Sequence, residues 1–310
     1  MRIVVHGQQA FGKAVLEGLL KRGEDVIAVY CGPEKEGQKI DPLKEFALAK
    51  GLPVQQPKSY KTKPEVWEEF RALKPDLCVM AYVTLFVPEE FLNIPKLGTI
   101  QYHPSLLPLH RGPSSINWPI MWGEKKTGLT IFWPDNGLDT GPVLLQKEVP
   151  IKDDDTLGSL YFDHLFPMGL AAMLEGVDLV KAGKAPKIKQ DESTATYEGW
   201  CKAENAEIKW DKPAAEVYNL IRGTNPQPGA WTKAQGKTLG VFESAKVAGA
   251  KGAPGEVIEI TDKGVTVGAG VAAGGGAVQL QRVRPEGSGK VAAAEWAKAA
   301  GIQAGSKLGA

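Results

Sequence analysis

The chain has 310 residues, more than one domain usually holds, and is 43% hydrophobic and 24% charged, the balance of a globular protein with a sizeable core. Its 37 basic and 36 acidic residues leave a formal charge of +1, which excludes a global pull toward nucleic acid though not a local basic patch. Cys31, Cys78 and Cys201 are odd in number and far apart, which suggests neither a disulfide framework nor a zinc ribbon, and no apolar run of about 18 residues is present to span a bilayer.

The opening MRIVVHG enters a strand pattern directly, without the features of a signal peptide, so a reduced cytoplasmic setting with no membrane partner is expected. Residues 2–6 read as a buried strand. Phe11, Val15 and Leu19 then recur at helical spacing up to Arg22-Gly23, and residues 25–31 give a second strand. Helices are expected at 42–50 and 64–73, each with a proline suited to its first turn. Strands follow at 77–81, 99–102, 129–133 and 143–149. A helix is expected over 156–182, capped by Asp153, Asp154 and Asp155 and kinked or restarted at Pro167. Strands alternating with helices predict an α/β fold: a Rossmann-like, doubly wound, mostly parallel sheet.

Residues 185–200 carry little hydrophobic periodicity and read as a linker. Beyond them, a helix at 213–222 and a turn at Pro226-Gln227-Pro228-Gly229 precede short strands at 238–242, 255–260, 264–267 and 277–282. Gly-rich turns between short strands predict a small OB-like β-barrel. The expected division is a catalytic domain over 1–190, a linker over 191–205 and the barrel over 206–310. Gly268 to Gly276 reads as a flexible turn rather than a phosphate loop, since no Lys-Ser/Thr follows it, and the end of the chain reads as a Gly/Ala-rich tail.

The first turn, Gly7-Gln8-Gln9-Ala10-Phe11-Gly12, lacks the middle glycine of G-x-G-x-x-G, so no nicotinamide cofactor is expected. Of the four histidines, His6 ends an apolar strand and reads as a core or rim residue. His164, beside Asp163 on an amphipathic helix, reads as a surface residue, and His110 lies near the candidate site. His103 is different in its company. It follows a predicted strand in Gln101-Tyr102-His103-Pro104-Ser105-Leu106-Leu107-Pro108, and a parallel sheet places ligands beyond the carboxyl ends of its strands. The Gly-punctuated loop Asp135-Asn136-Gly137-Leu138-Asp139-Thr140-Gly141 offers a carboxylate. An imidazole to polarise an oxygen and a carboxylate to draw a proton off the attacking group suit acid–base chemistry at a carbonyl. No third ligand stands at a useful spacing, so no metal is expected.

QYHPSLLPLHRGPSSINW and FWPDNGLDTGPVLLQKEV resemble the formyltransferase family that uses 10-formyltetrahydrofolate, and the 36-residue separation of His103 from Asp139 matches that family's pattern. TATYEGWCKAENAEIKWDKPAAEVYNLIRG and NPQPGAWT resemble its connector and C-terminal domain. The resemblance is nearest to the hydrolase portion of 10-formyltetrahydrofolate dehydrogenase, through Gly7-Gln8, Phe11-Gly12, His110-Arg111-Gly112, Phe132-Trp133 and Tyr197-Glu198-Gly199.

The resemblance implies that 10-formyltetrahydrofolate is the formyl donor, with Asp139 accepting a proton from the nucleophile and His103 stabilising the oxyanion. Its pterin is expected beside Tyr82, Leu85, Phe86 and Leu138, with backbone groups of the loop around Asp135 and Gly137 reading its edge. Arg111 is expected either to anchor the HPSLLP loop or to contact an acceptor. Family transferases carry Asn two residues before the His; here Gln101 sets the amide one methylene further out. The acceptor is expected to be water or an amine. Methionyl-tRNA is possible but not favoured, because the loop Gly32 to Asp41 is short and mixed in charge. Residues 201–310 hold 14 Lys/Arg against 10 Asp/Glu, a +4 excess that the barrel could use or merely solvate. A non-catalytic folate-binding module is the third reading. Aldehyde dehydrogenase activity has no cofactor fingerprint within these residues.

Overall fold

A computed structural model describes residues 1–34, 37–61, 64–250, 252–270 and 276–309. Lys35 and Glu36 of the loop at 32–41, residues 271–275 of the expected turn and Ala310 of the expected tail lie outside the described residues. The elements run β1 (Arg2–Gly7), α1 (Gln9–Lys21), β2 (Asp25–Cys31), α2 (Pro42–Ala49), β3 (Val54–Gln55), α3 (Pro64–Ala72), β4 (Leu77–Ala81), α4 (Glu89–Leu92) and β5 (Thr99–His103). Then come α5 (Asn117–Met121), β6 (Lys126–Phe132), β7 (Val143–Pro150), α6 (Leu157–Ser159), a π-helical turn (Leu160–Leu165) and α7 (Phe166–Lys181). The chain continues with α8 (Ala214–Gly223), β8 (Ala230–Ala234), β9 (Lys237–Val247), β10 (Val257–Thr261), β11 (Gly264–Ala269), β12 (Gly276–Pro285), β13 (Val291–Ala292) and α9 (Ala293–Ala299).

Two compact units form. The first gathers Met1–Gly112, Gly128–Val149 and Asp163–Tyr197; the second gathers Pro113–Thr127, Pro150–Phe162 and Glu198–Ala310. The first half of the stretch expected as a linker therefore lies inside the first unit.

The first unit is built on a seven-stranded sheet of order β3-β2-β1-β4-β5-β6-β7. Strands β1 to β5 pair in parallel, and β6 turns antiparallel against β5. The central strands β1 and β4 are almost wholly buried, as expected for parallel strands covered on both faces. Strand β5 alternates: Tyr102 packs on Phe11 and against Gly169 on the side of α1 and α7, while Gln101 and His103 point to the opposite face. Helix α1 buries Phe11, Val15, Leu16 and Leu19 on one stripe. The helix expected over 156–182 is present as one continuous helical run through α6, the π-helical turn and α7, and the widened turn ends just ahead of Pro167, whose missing N–H takes one bond out of the helical ladder.

The second unit carries an antiparallel sheet of order β10-β11-β12-β9-β8, with β13 on β12. Lys307 and Leu308 bridge Glu256 and Ala234, so the chain end laces the two edge strands together. Its core includes Val217 and Ile221 from α8, Val241, Val265, Val267, Leu280 and Val283 from the strands, and Trp296 from α9. The Gly/Ala-rich tail is thus in part a helix: AAEWAKA has strong helix formers and one large anchor, and Trp296 is buried.

Candidate active site in the first unit

His103 ends β5 with its ring buried. Its Nε2 lies 2.9 Å from the backbone oxygen of His110. A carbonyl oxygen only accepts, so Nε2 carries the proton, and Nδ1 is the atom free to act. Nδ1 faces Oδ2 of Asp139 at 3.6 Å, beyond hydrogen-bond range but close enough for an ion pair when the ring is protonated. The side chains of the two residues are only 8% and 10% exposed, so their interaction is weakly screened.

The sequence prepares both partners locally. The loop after His103 is stitched to the sheet: Ser105 Oγ donates to Leu109 O, and Thr130 Oγ1 donates to Ser105 O and accepts from Leu107 N–H. Gln146 Nε2 donates to both Leu107 O and Thr130 Oγ1. Asp139 sits at φ +56°, a left-handed conformation that costs a non-glycine residue about 1–3 kcal/mol and persists only when its surroundings dictate it. They do. Its Oδ2 accepts from Gly112 N–H at 2.8 Å, and its backbone oxygen accepts from Gln190 Nε2 at 2.9 Å. At the loop's start, Asp135 Oδ1 accepts from Gly137 N–H and Thr140 Oγ1. Asn136 pairs with Glu89 at the start of α4. At Gly141 a Cβ would meet Trp133 O at 1.7 Å, so only glycine closes the loop this tightly.

The expected walls lie on the loop after β4. Tyr82, at φ +65°, is 45% exposed and Phe86 47%, while Leu85 is half-buried; Leu138 is exposed on the other loop. Lys61 Nζ stands 4.4 Å from the Phe86 ring centre. Gln101 pairs with Met80 of β4 and Phe132 of β6 on the face of His103, half-buried, and its amide makes no hydrogen bond among the described residues.

Two roles are expected of Arg111, anchoring the HPSLLP loop or contacting an acceptor. It is fully buried, and all five of its donors are engaged. Nε and Nη2 donate to Gln190 Oε1 at 3.1 and 2.8 Å. Nη2 and Nη1 donate to the two carboxylate oxygens of Glu192 at 2.7 and 2.9 Å, and Nη1 also donates to the Tyr197 hydroxyl. The Glu192 carboxyl is held below its ordinary range by Arg111. These surroundings support the loop-anchor role. No site role is assigned from the sequence to Gln190, Thr196 or Tyr197 (the last enters only as part of the resemblance), because they act through long-range hydrogen bonds that leave no periodicity.

At the N-terminus of α1, where a dinucleotide's pyrophosphate would dock, the carboxylate of Asp41 accepts from Gln9 N–H at 2.8 and 3.1 Å. The same carboxylate caps α2 through Leu43 N–H. Negative charge built into the chain repels a phosphate there. Among the described residues no three His, Cys, Asp or Glu side chains are grouped to hold a metal, and no helix is long and apolar enough to cross a membrane. Burial pushes the thiols of Cys31 and Cys78 up to about 12, so neither is a ready nucleophile.

Residues 1–167 match the formyl transferase family and residues 201–301 its C-terminal domain. The chain is 46% identical over 248 residues to cytosolic 10-formyltetrahydrofolate dehydrogenase of Homo sapiens, covering 79% of this chain and 27% of that one. The chain thus spans under a third of the dehydrogenases' length. It is 38% identical over 314 residues to methionyl-tRNA formyltransferase of Geobacter sulfurreducens, covering 100% and 97%. The fold is shared with HypX of Aquifex aeolicus in complex with tetrahydrofolic acid, at a TM-score of 0.66 and 22% identity, covering 96% of this chain and 47% of that one. Matched along nearly all its length, the chain belongs to the formyl transferase family.

Proposed function

We propose that the chain transfers the formyl group of 10-formyltetrahydrofolate to water, with His103 and Asp139 performing the acid–base steps. The observation that carries this reading is the His103 Nδ1 to Asp139 Oδ2 approach of 3.6 Å, with His103 Nε2 and the Asp139 carboxylate each held by a backbone group. A water poised at the formyl carbon loses a proton to Asp139 as its oxygen bonds to that carbon. The carbonyl oxygen becomes an oxyanion and is stabilised by Nδ1–H of protonated His103. Collapse breaks the bond from carbon to N10, N10 takes the proton back from the pair, and tetrahydrofolate leaves together with formic acid, which gives up its remaining proton to solvent as formate. The pterin lies against Tyr82, Leu85, Phe86 and Leu138, and the loop from Asp135 to Gly137 offers its polar edge.

The Gln101 amide, on the same strand face as His103, is a candidate second donor to the oxyanion. The motifs that resemble the hydrolase portion of 10-formyltetrahydrofolate dehydrogenase, together with the 46% identity to that enzyme of Homo sapiens, support water as acceptor. A second reading, formyl transfer to methionyl-tRNA, is favoured by one observation: that relative matches across the full length of both chains. The two are separated by incubating purified protein with 10-formyltetrahydrofolate, alone and with methionyl-tRNA. Steady formate release without acceptor supports hydrolysis. Turnover only with methionyl-tRNA, leaving the formyl group on it, overturns hydrolysis in favour of the transferase.

A further inference from the structure

Gln190 is buried, polar and outside every motif that carries the chemistry, yet it touches both halves of the site's support. Its Oε1 accepts two hydrogen bonds from Arg111, at 3.1 and 2.8 Å. Its Nε2 donates to the backbone oxygens of Asp139, at 2.9 Å, and Gly141, at 2.7 Å. All four bonding positions of the amide plane are therefore used in one orientation.

On the far side, the segment that bears Gln190 is tied to the loop after His103. Arg111 N–H donates to Thr196 O, Thr196 N–H donates to Pro108 O, and His110 N–H donates to Thr196 Oγ1. Tyr197 forms a parallel bridge with Arg111. The clasp thus grips the imidazole's loop through Thr196 and the carboxylate's loop through Gln190.

We infer that Gln190 is a positioning residue: it holds Asp139 in its left-handed conformation, with the carboxylate against Gly112 N–H and facing His103, while Arg111 fixes which way the Gln190 amide points. This rests on the acid–base reading of His103 and Asp139. The two carbonyl contacts are what matter. Losing them frees the φ-strained residue to relax toward right-handed backbone, which swings its carboxylate away from Gly112 and from Nδ1.

The variant Gln190→Glu separates positioning from anchoring. A carboxylate still accepts from Arg111, now as an ion pair, so the clasp stays bound. It cannot donate, so the oxygens of Asp139 and Gly141 lose their partner and face negative charge instead. Two readouts apply. One is hydrogen exchange at Gly112 N–H, which reports the Asp139 carboxylate without any turnover. The other is steady-state kinetics with 10-formyltetrahydrofolate, alone and with methionyl-tRNA.

The expected result is Gly112 exchange faster by about tenfold or more, kcat lower by about tenfold to a hundredfold, KM for the folate within about twofold, and a Tm lower by a few degrees at most, because two buried carbonyls lose their donor. Unchanged Gly112 protection overturns the inference. So does a loss of kcat matched by a raised KM for the folate, since that is general loosening of the site. If the parent protein turns over neither water nor methionyl-tRNA, the proposed function falls. Faster Gly112 exchange in the variant then still supports the clasp, and unchanged exchange still refutes it.

Discussion

Gly141→Ala tests whether the Asp139 loop is shaped for chemistry or merely tolerated. A Cβ at this position would stand 1.7 Å from Trp133 O and 2.8 Å from its carbonyl carbon. Both obstacles are backbone, and Trp133 N–H is itself bonded to Pro142 O, so neither side can swing away as a flexible side chain would. Opening the contact to the roughly 3 Å that real Cβ atoms keep requires a displacement of about 1.3 Å. That displacement falls two residues from Asp139, on a residue whose oxygen is bonded to Gln190. Overpacking of this kind costs about 1–3 kcal/mol of stability. A 1 Å misplacement of a catalytic group costs about a hundredfold in rate. Steady-state turnover of 10-formyltetrahydrofolate, alongside a thermal melt, should therefore show a loss of kcat far larger than the modest fall in Tm, with KM for the folate little changed. Gly199→Ala, where a Cβ meets nothing within 4 Å and φ is not left-handed, is the matched control. A Gly141→Ala protein with parental kcat would refute the claim that this loop's geometry sets the rate.

The buried imidazole of His6, beside the Tyr60 hydroxyl at 3.1 Å, gives a pH prediction: burial pushes its pKa down to about 3. An unfolded His binds a proton near 6.5, so between 6.5 and about 3 the unfolded state gains a proton that the folded state refuses, and stability falls as pH falls. At pH 4.5 this penalty is about 2–3 kcal/mol, and the His6 ring should stay neutral by NMR; a ring titrating near 6.5 in the folded protein would end the argument. Gln101→Asn shortens the amide by one methylene and moves it to the position where the family's transferases carry Asn. Its turnover should rise, by about tenfold if a full oxyanion donor is gained, and an unchanged or lower kcat would reject the donor-placement argument.

How far the sequence reveals this fold depends on what each element is made of. The apolar runs of β1, β2 and β4 and the striped face of α1 are visible because burial on a sheet imposes periodicity. His103 at the end of β5 is visible for the same reason, since a strand's end is where a parallel sheet presents ligands. The antiparallel direction of β6 is not, because alternation carries no arrow. Strand β8 escapes notice since its inward residues, Ala230, Thr232 and Ala234, are small or polar. Helix α5 carries Pro119 in its only turn and a half, which reads as a break. The clasp of Gln190, Glu192 and Thr196 is the costliest omission for function. Its residues look like a linker because polar side chains bonded to distant backbone follow no local rule. The two exposed aromatics, Tyr82 and Phe86, are expected at the site through the family resemblance alone, since no local pattern marks an exposed aromatic as a ligand wall.

The central claim is that Asp139 moves the proton, and Asp139→Asn tests it most directly. The amide oxygen can still accept from Gly112 N–H, so the side chain keeps its place, but it cannot take a proton from water or an amine. The account predicts kcat lower by about 10²- to 10⁴-fold at neutral pH, with folate affinity retained and the Gly112 amide still protected. A variant that binds 10-formyltetrahydrofolate and turns it over within a few-fold of the parent would contradict it.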